Sequence, residues 1–116
     1  IALDLQGWKD SLTHMYNHEA FYEELENYMK RYKEKGETFS ILIADIDNFK
    51  NYNDVNGHQR GDWLLTRLGE VLMNTVGDLG IVTRYGGEEF AVILYNQSED
   101  IALNLGELIR QNIQNS

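Results

Sequence analysis

At 116 residues with 42% apolar side chains, the chain is long enough for one packed domain and too short for two. Its formal net charge of −9 argues against binding nucleic acid or an anionic membrane, since both demand a basic surface. The absence of cysteine excludes disulfides, thiolate zinc sites and thiol redox chemistry, and no apolar run approaches the roughly 18 residues of a membrane span. A cytoplasmic domain is expected, without direct membrane contact of its own, in a parent that upstream segments could anchor to a membrane.

Residues 1–9 are too short for a domain and read as the end of an upstream linker or signalling helix, so an upstream sensory or regulatory domain is an expected partner. Asp10-Ser11-Leu12-Thr13 then makes a turn, and Asn17 is placed to cap a helix that runs to about residue 35 and ends at Gly36. Phe21, Tyr22, Leu25, Tyr28, Met29 and Tyr32 recur at helical spacing and predict a core-facing stripe. His14 falls before the cap, so His14 and His18 do not share a helix face as zinc ligands would. Lys30, Arg31, Lys33 and Lys35 read as a solvated helix C-terminus.

The short, apolar, partly β-branched run 39–44 predicts a buried strand that stops at Asp45, and a carboxylate at a strand's C-terminal end commonly faces a crevice. Asp45-Ile46-Asp47-Asn48-Phe49-Lys50, Asn53-Asp54, Gly57-His58 and Gly61-Asp62 then crowd acid, amide and glycine into a stretch too dense for a generic loop. A calcium loop of the EF-hand type needs glycine sixth and glutamate twelfth, where counting from Asp45 finds Lys50 and Asn56. Asp47 reads either as a supporting acid or as the cap of a short helix from Asn48. His58 shapes the loop, and Trp63 belongs to core or rim.

Helical periodicity returns over 62–75, with Leu64, Leu65, Leu68, Val71 and Leu72 as the apolar face. Two apolar, β-branched runs, 81–83 and 91–94, then flank Arg84-Tyr85-Gly86-Gly87-Glu88-Glu89-Phe90. Gly86 and Gly87 can both take φ > 0, which predicts a two-residue hairpin turn with acid at its tip. Adjacent carboxylates there repel each other, which suggests a job. Ser98 is expected to cap a last helix, with Glu99 and Asp100 in its first turn and Ala102, Leu105, Leu108, Ile109 and Ile113 as its stripe. The order helix, strand, short helix, helix, strand, strand, helix predicts an α/β (α+β) sandwich with a mostly antiparallel central sheet flanked by helices.

On the residues alone, Asp45 at the strand end and a glutamate from the hairpin tip read as a magnesium–nucleotide site, because hard oxygen ligands suit Mg²⁺ or Mn²⁺. Such ions bridge triphosphate oxygens and stabilise the charge that develops as a hydroxyl attacks phosphorus in line. Backbone N–H groups after Asp47 are then available to phosphate.

Taken together these motifs resemble the GGDEF domain, the catalytic module of diguanylate cyclases, with Gly86-Gly87-Glu88-Glu89-Phe90 as its GGEEF signature. Asp10-Ser11-Leu12-Thr13 with Asn17 is similar to the family's Asp-x-Leu-Thr-x-Leu-x-Asn-Arg. The stretch 45–62 is similar to its Asp-x-Asp-x-Phe-Lys-x-x-Asn-Asp…Gly-His…Gly-Asp. The resemblance implies a nucleotidyl cyclase, polymerase-palm-like GGDEF fold over 10–116. It also implies condensation of two GTP into cyclic di-GMP and two pyrophosphates, each 3′-hydroxyl attacking the α-phosphorus of the other nucleotide across a homodimer.

Carried over by position, Asp45, the carbonyl of Ile46 and Glu88 hold two Mg²⁺ (or Mn²⁺) per active site. Glu89 is the base or a further metal-orienting carboxylate. Asn53 and Asp62 read guanine, whose N1–H and 2-amino donors adenine lacks; a carboxylate left unpaired against adenine costs on the order of 1–3 kcal/mol. Phe49 and Lys50 match positions near the phosphates, and Arg84 stabilises phosphate charge or braces the hairpin acids.

The departures from the family pattern are also informative. Met15 replaces the usual leucine and His18 the usual arginine. The product-inhibition motif Arg-x-x-Asp, which ends four residues before the signature arginine, is replaced by Gly77-Asp78-Leu79-Gly80, so no product-inhibition site is expected. Family members continue with a further strand, a hairpin and a helix carrying phosphate-binding Lys and Arg. The expectation is therefore a GGDEF domain lacking its C-terminal portion, weak or inactive alone, within an active parent. A catalytically silent module that binds GTP or cyclic di-GMP and regulates a neighbour is the alternative; the presence of Asp45, Glu88 and Glu89 favours the enzyme.

Overall fold

Phe90-Ala91-Val92-Ile93-Leu94 offers no polar side chain to solvent, so a strand built from it has to be covered on both faces. It becomes the centre of the molecule. The computed structural model describes residues 8–96 and 99–114, with side chains described as far as Asn112. Its strands are β1 (Phe39–Asp45), β2 (Gly80–Arg84) and β3 (Glu89–Tyr95), and its helices α1 (His18–Lys35), α2 (Phe49–Asn56), α3 (His58–Val76) and α4 (Glu99–Gln114). β3 lies between β1 and β2 and runs antiparallel to both.

The two-residue period of β3 divides its side chains between two cores. Phe90, Val92 and Leu94 pack with Leu65, Leu68, Leu72 and Val76 of α3 and with Ala102, Leu105 and Ile109 of α4. Ala91 and Ile93 face Phe21 and Tyr28 of α1 on the other side. The result is the predicted α+β sandwich: α1, an antiparallel sheet, then α3 and α4. Thr83, the one fully buried hydroxyl of the sheet among the described residues, donates to the Ala91 carbonyl at 2.9 Å, which removes the cost of its burial.

Asn17 caps α1 as predicted, its Oδ1 accepting from the Ala20 N–H at 3.1 Å, and Gly36 closes the helix in the left-handed region at φ 70°. Its apolar stripe is narrower than predicted. Phe21 and Tyr28 are buried and Leu25 half-buried, but Tyr22, Met29 and Tyr32 are exposed. A helix laid on a sheet buries an arc of about 100°, and six predicted residues cover more than that. β1 is also not the doubly covered strand expected. It lies at a sheet edge, where α1 meets it at Phe39 through Tyr28 and leaves Ile41 and Ile43 open, while Leu42 and Ala44 pack toward α3 and α4.

Further along the chain, α2 starts from Asn48 at φ 59° with no side-chain cap, so Asp47 is not the cap. α3 opens at His58, ahead of the predicted start, and buries Leu65, Leu68, Val71 and Leu72, leaving Trp63 on the rim. Glu99 and Asp100 open α4, whose Ala102, Leu105 and Ile109 are buried while Leu108 is exposed. The expected cap Ser98, residues 1–7 of the expected linker and the side chain of Ile113 lie outside the described residues.

The hairpin differs from its prediction in kind. The chain reverses through four residues, 85–88, and neither Gly86 nor Gly87 takes a positive φ. The N–H groups of Tyr85 and Gly86 both donate to the Glu89 carbonyl, at 2.8 and 3.2 Å. Inside the loop Arg84 Nη2 donates to the Gly87 carbonyl at 2.8 Å and occupies space that a two-residue turn would close.

Candidate active site

The β1–β3 register sets Asp45 directly opposite Glu89, and the Ile46 N–H donates to the Glu88 carbonyl at 3.2 Å. Residues directly opposed in an antiparallel pair share a face, with Cβ atoms about 4.5–5.5 Å apart. Two carboxylates distant in sequence thus confront each other, with a third beside them. Asp45, Glu88 and Glu89 form no ion pair among the described residues. Opposed like charges are destabilising, so this end of the sheet favours a bound cation.

No three acidic or imidazole side chains converge into a closed metal cage among the described residues. The donor set here, carboxylates and the Ile46 carbonyl, is of the hard type that Mg²⁺ selects.

Beside the acids lies a cleft of about 320 Å³ lined by Phe49, Asn53, Asp62, Leu65, Arg84, Gly87, Glu88 and Glu89. Most of the site residues read from the sequence are therefore assembled by three elements: α2, the start of α3 and the hairpin. Lys50 is exposed on α2 and does not line the cleft. Asp45 and Ile46 instead line a second hollow of about 470 Å³ between β1, α3 and α4 and do not line this cleft. The Asn53 Oδ1 atom is buried with no hydrogen-bond partner. Leaving such an acceptor unsatisfied costs about 1–3 kcal/mol.

Arg84 is bonded to the 10–16 turn and to the hairpin loop. Its Nη1 donates to both Asp10 carboxylate oxygens at 3.1 and 3.0 Å, and its Nη2 to Gly87. Asp10 is fixed in turn by the Thr13 N–H at 2.8 Å and the Thr13 hydroxyl at 2.9 Å. Burial pushes the Asp10 carboxyl up, but the hydrogen bonds from Thr13 and Arg84 outweigh it and hold the group below the ordinary value of 3.8. The Arg84 N–H also donates to the Tyr16 carbonyl at 2.8 Å, docking the 10–16 turn along the outer edge of β2.

Sequence reasoning singled out both Asp10 and Arg84 without joining them. The available signal was an arginine beside two acids it does not neutralise. A second contact it missed is the hydrogen bond between the Tyr22 and Tyr85 hydroxyls, which ties the loop to α1. Phe21, Tyr22 and Tyr85 meet edge to face with centroids 5.4–5.9 Å apart. The bond to Tyr22 holds the Tyr85 phenol above its ordinary value, and the charge of Glu89 adds to this.

At the positions of the expected missing motif, Gly80 admits no side chain. A Cβ there would overlap the Ile93 carbonyl oxygen and stand 2.9 Å from the Ile93 carbonyl carbon, both of them backbone atoms.

The family model described as diguanylate cyclase, GGDEF domain, matches residues 8–116. The chain is similar to diguanylate cyclase A of Treponema denticola, 43% identical over 81 residues, which is 70% of this chain and 22% of that protein. It resembles the solved GGDEF domain of DgcB from Caulobacter crescentus in complex with c-di-GMP, with a TM-score of 0.87 at 34% identity over 95% of this chain and 63% of that one. It also resembles the coiled coil and GGDEF domain of the same protein, with a TM-score of 0.85 at 32% identity over 89% of this chain and 54% of that one. Among the described residues no helix is long and apolar enough to cross a membrane.

Proposed function

The chain belongs to the GGDEF family, and we propose that in its parent protein it is the catalytic module of a diguanylate cyclase that condenses two GTP into cyclic di-GMP. The observation that carries this reading is the confrontation of Asp45 with Glu89 at the rim of a cleft that also holds Asn53 and Asp62. Closely opposed acids beside an amide suit a ligand that brings both phosphate-bound metal and a polar base.

In this reading Asp45, the Ile46 carbonyl and Glu88 would hold two Mg²⁺ ions. When bound, these ions supply electrophilic stabilisation of the phosphoryl charge. Asn53 and Asp62 orient guanine by accepting from and donating to its edge. Phe49 and Lys50 flank the phosphates, and Glu89 takes the proton of the 3′-hydroxyl or serves as a further carboxylate that would orient the metal. The bond from 3′-oxygen to α-phosphorus forms, the α–β phosphoanhydride bond breaks and pyrophosphate leaves. The same step repeated on the other nucleotide closes the ring. Each domain holds one GTP, so two copies face each other. Arg84 keeps the loop in place, and the closed Gly80 position supports a cyclase without feedback at that motif.

The test is incubation of the full-length protein with GTP and Mg²⁺, with products identified by mass. Cyclic di-GMP from the wild type and none from Glu89→Ala is the expected result. GTP binding without product from a protein fused to a dimerising segment would replace the cyclase with a silent, nucleotide-binding module.

A further inference from the structure

We propose that Gly61 is a positioning residue for base selection: by carrying no side chain, it seats the Asn53 amide in the cleft beside Asp62. The inference rests on the guanine reading of Asn53 and Asp62 given above. Glycine is among the poorest helix formers, yet Gly61 sits buried in the first turns of α3, immediately before Asp62. A Cβ built on it would overlap the Asn53 Oδ1 atom and come within 2.7 Å of the Asn53 Cγ. The amide therefore presses its oxygen end against the Gly61 backbone.

The backbone cannot step aside to admit a side chain. The Gly57 N–H donates to the Asn53 carbonyl at 2.7 Å, and the Gly61 N–H donates to the Gly57 carbonyl at 3.1 Å. This run of bonds carries the register from α2 into α3 and fixes positions 53 and 61 against each other. With the backbones fixed, a methyl group at 61 expels the Asn53 amide from its seat. Among the described residues no group bonds that buried amide oxygen, so the glycine surface is what defines its orientation. The ligand class is a purine nucleotide whose base edge meets the Asn53–Asp62 pair.

The experiment is a double-mutant cycle in the full-length protein with Gly61→Ala, Asn53→Ala and the two combined. It reads the affinities for non-hydrolysable GTP and ATP analogues and the thermal midpoint. Gly61→Ala is expected to weaken GTP binding roughly tenfold while leaving ATP binding unchanged, with little change in midpoint because the amide can swing out. In the Asn53→Ala background, Gly61→Ala is expected to cause no further loss of GTP affinity and to raise the midpoint, since alanine is the better helix former once the clash is gone. An equal loss of affinity in both backgrounds overturns the proposal, as does wild-type GTP selectivity in Gly61→Ala when Asn53→Ala has lost it. A wild-type GTP-to-ATP ratio in Asn53→Ala overturns the guanine reading and the selection role with it; the midpoints alone then report the steric seat.

Discussion

On one flank of the hairpin, Arg84 is answered by Asp10 and by the Gly87 carbonyl, and Asp10 by Thr13; on the other, Asp45 stands opposite Glu89 with Glu88 beside it, and none of the three is in an ion pair among the described residues. The two flanks share β3 and the same loop, so one backbone carries both a paired and an unpaired cluster of charge, although the Arg84 Nε atom is buried without a hydrogen-bond partner among the described residues. The difference shows where stability and function are lodged. The Asp10–Arg84 side holds the loop, which frees the acid side to keep charges that repel each other. A sheet end with opposed carboxylates would splay or slip if the loop were held by nothing else.

The largest expected effect tests the acid flank. Glu89→Gln keeps the shape and removes one of the opposed charges. It is expected to lower product formation by the full-length protein on the order of 10²–10³-fold, the usual loss when a preorganised electrostatic group is removed. The thermal midpoint should rise slightly, because an opposed like-charge pair is worth about 0.2–1 kcal/mol of destabilisation. A fall in midpoint would break the comparison, since it would make Glu89 part of what holds the hairpin.

Much of this arrangement was legible in the sequence. The periodicities of α1, α3 and α4 and the apolar run of β3 sufficed for the layers, because each element writes its own period into its side chains. The acids of the site were visible as residues that nothing local explained. What could not be read was anything that depends on how far a covering layer extends. Ile41 and Ile43 look like core from composition, and only the lateral position of α1 leaves them open. Tyr22 and Tyr32 fail in the same way, since helical spacing names a face without giving its width. The hairpin turn was misjudged because two adjacent glycines permit a tight turn without requiring one, and the four-residue loop is closed instead by backbone bonds to the Glu89 carbonyl and by the side chain of Arg84 reaching Gly87.

The braced flank is tested by Asp10→Asn. Arg84 is less than one-fifth exposed in the ion pair, with 18% of its side chain accessible, and would be left without a carboxylate. A loss of about 1–3 kcal/mol is expected, measured by denaturant unfolding. The pH dependence has a definite sign. The Asp10 carboxyl is held below 3.8 in the folded protein, so its contribution is complete above that value and is lost as the pH falls through the lower folded value, where the unfolded chain already binds the proton. The stability gap between wild type and Asp10→Asn should therefore be constant at neutral pH and shrink below 3.8. A gap that persists undiminished in acid would mean that Asp10 acts through the shape of its turn, with the ion pair incidental. Product formation should fall as well, because the loop that carries Glu88 and Glu89 loses its anchor.

The smallest expected effect sharpens the boundary between the flanks. Tyr22→Phe removes the hydroxyl that meets Tyr85 and leaves the edge-to-face packing in place. The pair is solvent-exposed, so the midpoint should move by no more than about 2 °C. The informative readout is an ultraviolet titration of the tyrosines. The bond to Tyr22 is the first cause of the raised Tyr85 phenol, so in the variant Tyr85 should ionise closer to its ordinary value of 10.0. A phenol raised by a native contact stabilises the fold below its ordinary value and loses that contribution as the pH rises through the folded value, so any gap in midpoint should close in strong alkali. Because Glu89 also raises Tyr85, the same titration in Glu89→Gln should show a smaller shift in the same direction. That second shift would mean Tyr85 senses the acid flank while being held by the helix side, so the two flanks communicate through the loop residue that precedes the glycines. Its absence, with the Tyr22 effect intact, would leave Arg84 as the connection between them.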